Sequence, residues 1–148
     1  MERKEYYDVS TLDQLSQFVD DFLLNLEKNT VGATIVTLSG DLGAGKTTFT
    51  QYVARALGVQ GEVTSPTYVI EQRYDVDSSN FKSLVHIDAY RLEDEQDPYK
   101  IGLDKTLEDP HNFVVIEWPE KIQDFLKVYE KVSLSFSLED EKRFLTIL

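Results

Sequence analysis

The chain has 148 residues, a net charge of −12, 41% hydrophobic residues and no cysteine. That is enough apolar chain for a single domain spanning residues 1–148, and the missing thiols rule out disulfides, thiolate metal sites and a cysteine nucleophile. So acidic a chain is a poor stand-alone binder of nucleic acid, whose phosphates need clustered Lys and Arg.

Glu5 to Val9 reads as a short strand. Ser10 or Thr11 then caps a helix, and Thr11-x-x-Gln14 has capping-box spacing. Leu12, Leu15, Phe18, Val19, Phe22, Leu23 and Leu26 recur at helical spacing and form its core-facing stripe. Val31 to Ser39 is β-branched, apolar and uncharged, as a buried parallel strand should be. Gly40-Asp41-Leu42-Gly43-Ala44-Gly45-Lys46-Thr47-Thr48 follows, and it fits G-x-x-x-x-G-K-[ST], the Walker A phosphate loop. Its glycines let the backbone turn so that consecutive N–H groups point at a phosphate. The following helix, read over Phe49–Leu57 and stopped by Gly58, adds its N-terminal dipole. Strand, loop and helix therefore come in the order the motif requires. The chemistry expected is Lys46 on the β- and γ-phosphates of ATP, the Thr47 hydroxyl on magnesium, and Asp41 to Thr48 wrapped around the phosphates.

Thr64-Ser65-Pro66-Thr67-Tyr68 gathers hydroxyls around a proline, where P-loop hydrolases often carry a γ-phosphate-sensing switch; by itself it is only a turn. Glu62 to Tyr74 alternates toward a strand, and Asp75 to Asn80 is a polar turn. Leu84-Val85-His86-Ile87-Asp88 is an apolar strand ending in a carboxylate. This is Walker B-like, with Asp88 holding magnesium; the alternative is a carboxylate that caps the next turn. His86 is read as a strand histidine without chemistry, and His111 as a loop residue. Glu93 to Pro110 is charged and partly helical, with Gly102 as a breaker. Phe113-Val114-Val115-Ile116-Glu117 repeats the strand-then-carboxylate pattern, so that Glu117 could orient or deprotonate the attacking water or complete the magnesium shell. Trp118 either fills the core or flanks the site. Pro119 and Glu120 open a helix through about Val128. Val132–Leu138 and Arg143–Leu148 form a terminal hairpin.

Strands alternating with helices give an α/β fold of the P-loop nucleotide hydrolase type: three layers, a central, largely parallel sheet and a C-terminal hairpin. In such sheets the ligand sits at the strand carboxyl ends, where the phosphate loop, Asp88 and Glu117 converge. No apolar run approaches the roughly 18 residues of a membrane span. The charged Met1-Glu2-Arg3-Lys4-Glu5 has no secretory character, so the cytoplasm is the expected location.

The phosphate loop, Ser65-Pro66-Thr67-Tyr68, His86-Ile87-Asp88-Ala89-Tyr90-Arg91-Leu92 and Ile116-Glu117-Trp118-Pro119-Glu120 occur together in this order. With them the chain resembles the bacterial TsaE (YjeE) family of tRNA threonylcarbamoyladenosine biosynthesis ATPases, from about Tyr6 to the final hairpin. The resemblance implies a small ATPase working on a partner complex of TsaB-like and TsaD-like proteins, with tRNA met only through that complex. Its ATP hydrolysis would reset the complex between turnovers. The resemblance gives Lys46 and Thr47 the phosphate and magnesium roles. It makes Asp88 and Glu117 the functional carboxylates and Trp118 the functional tryptophan, and it places Thr67 in the switch-like loop. The family's first helix often carries a threonine near the nucleotide, which has no clear counterpart here, and the Leu-Pro step common after Pro119 is missing. Two rival readings stand beside this one. A small-molecule kinase would need lid arginines, yet only Arg73 and Arg91 lie in the middle of the chain. A non-hydrolysing, ATP-gated binding module would use Glu117 as a ligand only. A GTPase is disfavoured by the lack of an Asn-Lys-x-Asp tetrad.

Overall fold

The computed structural model describes residues 5–41, 43–61, 63 and 70–148. Among the described residues seven strands form one sheet: β1 (Glu5–Asp8), β2 (Thr34–Gly40), β3 (Glu71–Asp75), β4 (Ser83–Asp88), β5 (Asn112–Glu117), β6 (Val132–Glu139) and β7 (Lys142–Ile147), in the order β1-β7-β6-β2-β5-β4-β3. The central strands β6, β2, β5 and β4 run parallel. The outer pairings, β3 with β4, β6 with β7 and β7 with β1, are antiparallel. The sheet is thus parallel at its centre and mixed overall.

Two helices, α1 (Leu12–Asn25) and α2 (Lys46–Ala56), cover one face. Leu15, Phe18, Val19, Phe49 and Val53 pack there against Val36, Leu38, Phe113, Val115, Leu134 and Phe136. On the other face Leu103, Leu107, Ile122 and Leu126 pack against Ile35, Val85, Ile87, Val114 and Ile116. Alternate residues of β5 therefore enter opposite layers, as the two-residue period of a strand dictates. Phe113, Val115 and Glu117 share the α1–α2 face. By the same alternation Leu84, His86 and Asp88 share it on β4.

The start of α1 is fixed as its spacing predicts. Thr11 Oγ1 accepts from the Gln14 N–H at 3.1 Å and Gln14 Oε1 accepts from the Thr11 N–H at 2.9 Å, an N-terminal closure worth about 1 kcal/mol. Leu15, Phe18 and Val19 are buried, but Leu12 is 64% exposed. It sits in the first turn, at the mouth of a cavity rather than over the sheet. The predicted strand at Val31 begins only at Thr34. The preceding Gly32 crosses the end of the segment α4 (Leu103–Glu108) so closely that a Cβ there would lie 2.8 Å from the Leu107 carbonyl oxygen.

The Glu93–Pro110 region is two short helices, α3 (Asp97–Lys100) and α4, separated by Gly102 at φ 75°. The helix expected from Pro119 to Val128 is a 3₁₀ turn (Pro119–Ile122) followed by a single turn, α5 (Gln123–Leu126). The first stretch is partly helical and broken at Gly102 as expected; the second is shorter than expected. The terminal hairpin forms as expected, with Glu139 paired to Lys142 and Asp140 at φ 55° between them.

Candidate nucleotide site

The carboxyl ends of β2, β4 and β5 open on one cavity of ≈ 580 Å³. Its wall includes Gly43, Gly45, Lys46, Thr47, Thr48, Asp88, Glu117 and Trp118 from the predicted set. Of the remaining predicted residues, Asp41 is tied to β6: its Oδ2 accepts from the Leu138 N–H at 3.0 Å. Ala44 is buried in the core beside the loop. Leu42, Thr67 and the rest of the proposed Thr64–Tyr68 switch lie outside the described residues.

The loop leaves β2 through Gly40 at φ 116°, where a Cβ would stand 1.9 Å from the Phe136 carbonyl oxygen. Only glycine fits that crossing of β6. Gly45, also at positive φ, is the N-cap of α2, and Phe49 N donates to its carbonyl at 2.8 Å. The helix therefore begins at Lys46, three residues before the apolar run that announced it. Its first-turn N–H groups and dipole face the cavity, an arrangement suited to an anion. Lys46 is only 7% exposed. Its Nζ donates to the Gly40 carbonyl at 2.9 Å and lies 5.1 Å from the centroid of the Trp118 ring.

Trp118 owes that position to backbone geometry. It adopts φ 58°, ψ 49° directly after β5, and Pro119 then fixes the next turn. A left-handed non-glycine residue costs roughly 1–2 kcal/mol. Here the indole is held against Tyr90 at 5.1 Å between ring centroids, and Lys121 Nζ lies over the Tyr90 ring, 5.3 Å from its centroid.

Asp88 and Glu117 are directly paired residues at the ends of β4 and β5. Asp88 Oδ1 accepts from the Tyr90 N–H at 3.0 Å. Burial pushes the Asp88 carboxyl above the usual carboxylate range; the Tyr90 N–H opposes the rise, and the neighbouring Glu117 charge adds to it. Glu117 is only 6% exposed, and its Oε2 lies 2.7 Å from Nε2 of the fully buried His86.

Three contributors were not anticipated. His86 carries no motif, but its place two residues before Asp88 puts it on the same strand face, which is a usable signal. Arg143 reaches the phosphate loop from β7: its Nε donates to the Gly43 carbonyl at 3.1 Å, and its backbone N–H donates to Ser10 Oγ at 2.9 Å. Thr11, the N-cap of α1, also lines the cavity. Arg143 carries no local motif, and the capping-box spacing of Thr11 marks a helix start without marking a site; it is the fold that brings these distant segments together at this point.

The residues present suit a magnesium nucleotide: glycines at positive φ around an inward-facing helix start, one nearly buried lysine, and a hydroxyl and two carboxylates on one wall.

Comparison with known proteins places the chain in a family. The family model described as "Threonylcarbamoyl adenosine biosynthesis protein TsaE" matches residues 9–145. A Streptomyces coelicolor protein named tRNA threonylcarbamoyladenosine biosynthesis protein TsaE is 39% identical over 118 residues, 76% of this chain and 78% of that protein. A Haemophilus influenzae protein of the same name is 39% identical over 101 residues, 68% of this chain and 61% of that protein, so the match spans less than two thirds of the latter. The crystal structure of Bacillus subtilis YdiB superposes with a TM-score of 0.74 at 25% identity, covering 99% of this chain and 86% of that one. The chain belongs to the TsaE family of threonylcarbamoyl adenosine biosynthesis proteins.

Proposed function

We propose that this protein is a magnesium-dependent ATPase serving the formation of threonylcarbamoyladenosine in tRNA, and that it works on a TsaB–TsaD-like partner complex in the cytoplasm. The observation that carries the reading is the convergence of Lys46, Asp88 and Glu117 on one cavity at the carboxyl ends of β2, β4 and β5. The names of its relatives supply the pathway.

In this reading the Gly43–Thr48 backbone N–H groups and Lys46 bind the phosphates of ATP. Thr47 and Asp88 would hold magnesium, which supplies charge neutralisation at the β- and γ-phosphates. Glu117 orients the attacking water. In hydrolysis the water oxygen bonds to the γ-phosphorus. The bond to the β,γ-bridging oxygen breaks, with its electron pair leaving on ADP, and the proton lost by water passes to Glu117. Trp118 shields Lys46 from solvent.

The test has two arms. Purified protein, alone and with the TsaB-like and TsaD-like proteins of the same organism, is assayed for phosphate release from magnesium–ATP. In parallel, tRNA nucleosides of a depletion strain are measured by mass spectrometry. Partner-stimulated hydrolysis together with loss of threonylcarbamoyladenosine is expected. Unchanged nucleoside content would overturn the pathway assignment, and absent hydrolysis the ATPase assignment.

A further inference from the structure

His86 is a polar residue buried among core positions. It lies on the α1–α2 face of β4, is fully buried, and neighbours Leu84, which is core. Its Nε2 stands 2.7 Å from Glu117 Oε2, whereas its Nδ1 is buried with no hydrogen-bond partner among the described residues. Burying an imidazole with one nitrogen unsatisfied is unfavourable. A bare lone pair is the less costly group to leave unpaired, so the arrangement favours the tautomer with its proton on Nε2, donated to the carboxylate. One Glu117 oxygen is then occupied inside the protein, and the other remains for the cavity whose wall Glu117 forms.

We propose that His86 is a positioning residue for Glu117: its Nε2–H anchors Oε2 and thereby presents Oε1 to the water that attacks ATP. The proposal rests on the ATPase reading for its consequence, though not for its geometry. A carboxylate at the end of a strand has free side-chain torsions, and a general base must be held within hydrogen-bond reach of its water. His86 removes that freedom from below. The same bond leaves Asp88, anchored separately on the Tyr90 N–H, as the carboxylate better placed for the metal.

The experiment uses the full chain with its partner complex. His86→Phe keeps a ring and removes the donor; His86→Gln restores an N–H donor. His86→Phe is expected to lower kcat about 10- to 100-fold, the usual effect of losing an outer partner that orients a functional group, with the ATP dissociation constant unchanged. His86→Gln recovers most of the loss. In a Glu117→Gln background, His86→Phe produces no further loss. An unchanged kcat, a matching loss of ATP binding, or an equal further loss in the Glu117→Gln background overturns the proposal in favour of a purely structural histidine.

A second readout needs no turnover. Long-range proton–nitrogen NMR correlations of the nucleotide-free protein should show His86 protonated at Nε2, with that signal shifted in Glu117→Gln. A bare Nε2, or a signal indifferent to Glu117→Gln, overturns the proposal. If the parent protein binds magnesium–ATP but never hydrolyses it, the ATPase reading fails, and the NMR result still decides the anchoring of Glu117.

Discussion

Asp88 and Glu117 are direct cross-strand partners in a parallel pair, yet their carboxylates are anchored differently. Asp88 leans on a backbone N–H of the turn that follows it; Glu117 leans on a buried imidazole. Two adjacent carboxylates with separate anchors are suited to separate tasks. Glu117→Gln is expected to retain ATP binding and lose hydrolysis by about 10²- to 10⁴-fold, the range for a displaced general base. Asp88→Asn is expected to weaken the magnesium dependence of binding instead. Calorimetric ATP titrations at several magnesium concentrations, paired with phosphate-release rates, separate the two. Equal and complete loss of ATP binding in both variants would refute the division.

Lys46 is almost buried, and its ammonium meets the Gly40 carbonyl and the Trp118 face. Charged hydrogen bonds to phosphate are worth about 1.5–3 kcal/mol. Lys46→Ala should therefore weaken ATP binding roughly ten- to hundredfold. Because Trp118 is the sole tryptophan, movement of Lys46 onto phosphate should change indole emission saturably with ATP. A folded Lys46→Ala variant that binds like the parent, or emission indifferent to saturating ATP, goes against this placement.

The raised Asp88 carboxyl has a consequence for stability. An acid whose folded-state pKa lies above its unfolded value binds more protons when folded. Stability then falls as pH rises from the ordinary carboxylate range to the raised value, and the loss persists above it. Asp88→Asn removes the burdened charge while keeping an acceptor for the Tyr90 N–H. The nucleotide-free variant should melt at a higher temperature than the parent at pH 7, with the difference shrinking as the pH approaches 4. Scanning calorimetry across that range checks the sign.

Gly40→Ala should cost more stability than Gly43→Ala, although both residues have positive φ. A Cβ at Gly40 meets the Phe136 carbonyl oxygen at 1.9 Å, whereas none of the described atoms lies within 4 Å of one at Gly43. The first variant forces β2 from β6, an effect of several kcal/mol (on the order of the largest single-site losses); the second bears only about 1–2 kcal/mol of left-handed strain. Urea unfolding of the two variants side by side measures the gap.

How much of this was readable beforehand follows from the range of each interaction. The Thr11–Gln14 closure, the Gly40–Thr48 motif and each of the two strand-end carboxylates are set within a few residues, so spacing alone exposed them; the pairing of the carboxylates is set by the sheet. Sequence places His86 on a strand and His111 in a loop, but only the pairing of β4 with β5 brings buried His86 onto Glu117, while His111 stays exposed beside Asp109. Arg143 is brought to Gly43 by the β7 register, across 100 residues of chain, and no local pattern encodes that. The partly helical stretch broken at Gly102 forms as its composition suggests, whereas the helix after Pro119 is shorter than expected, because a starting proline signals helix entry without saying how far the helix runs.

The isolated protein should bind tRNA weakly, whatever its nucleotide state. Its net charge of −12 opposes the counterion release that drives most nucleic-acid affinity. Several of its lysines are engaged locally: Lys28 donates to the Pro110 carbonyl, Lys131 to the Leu126 carbonyl, and Lys100 and Lys127 lie within 3.7 and 3.8 Å of Asp97 and Asp124. In the proposed reading a role in tRNA modification passes through protein partners with ATP as the signal, and the cavity that would hold ATP joins the start of α1, the Gly43–Thr48 loop and β7. A ligand that bridges these segments alters the surface they share. Affinity for a TsaB–TsaD-like pair should be highest with magnesium–ATP and lower with ADP or no nucleotide, as read by surface-immobilised binding at fixed salt. Equal affinity in all three states removes nucleotide gating, and tight, salt-sensitive tRNA binding by this chain alone removes the requirement for partners.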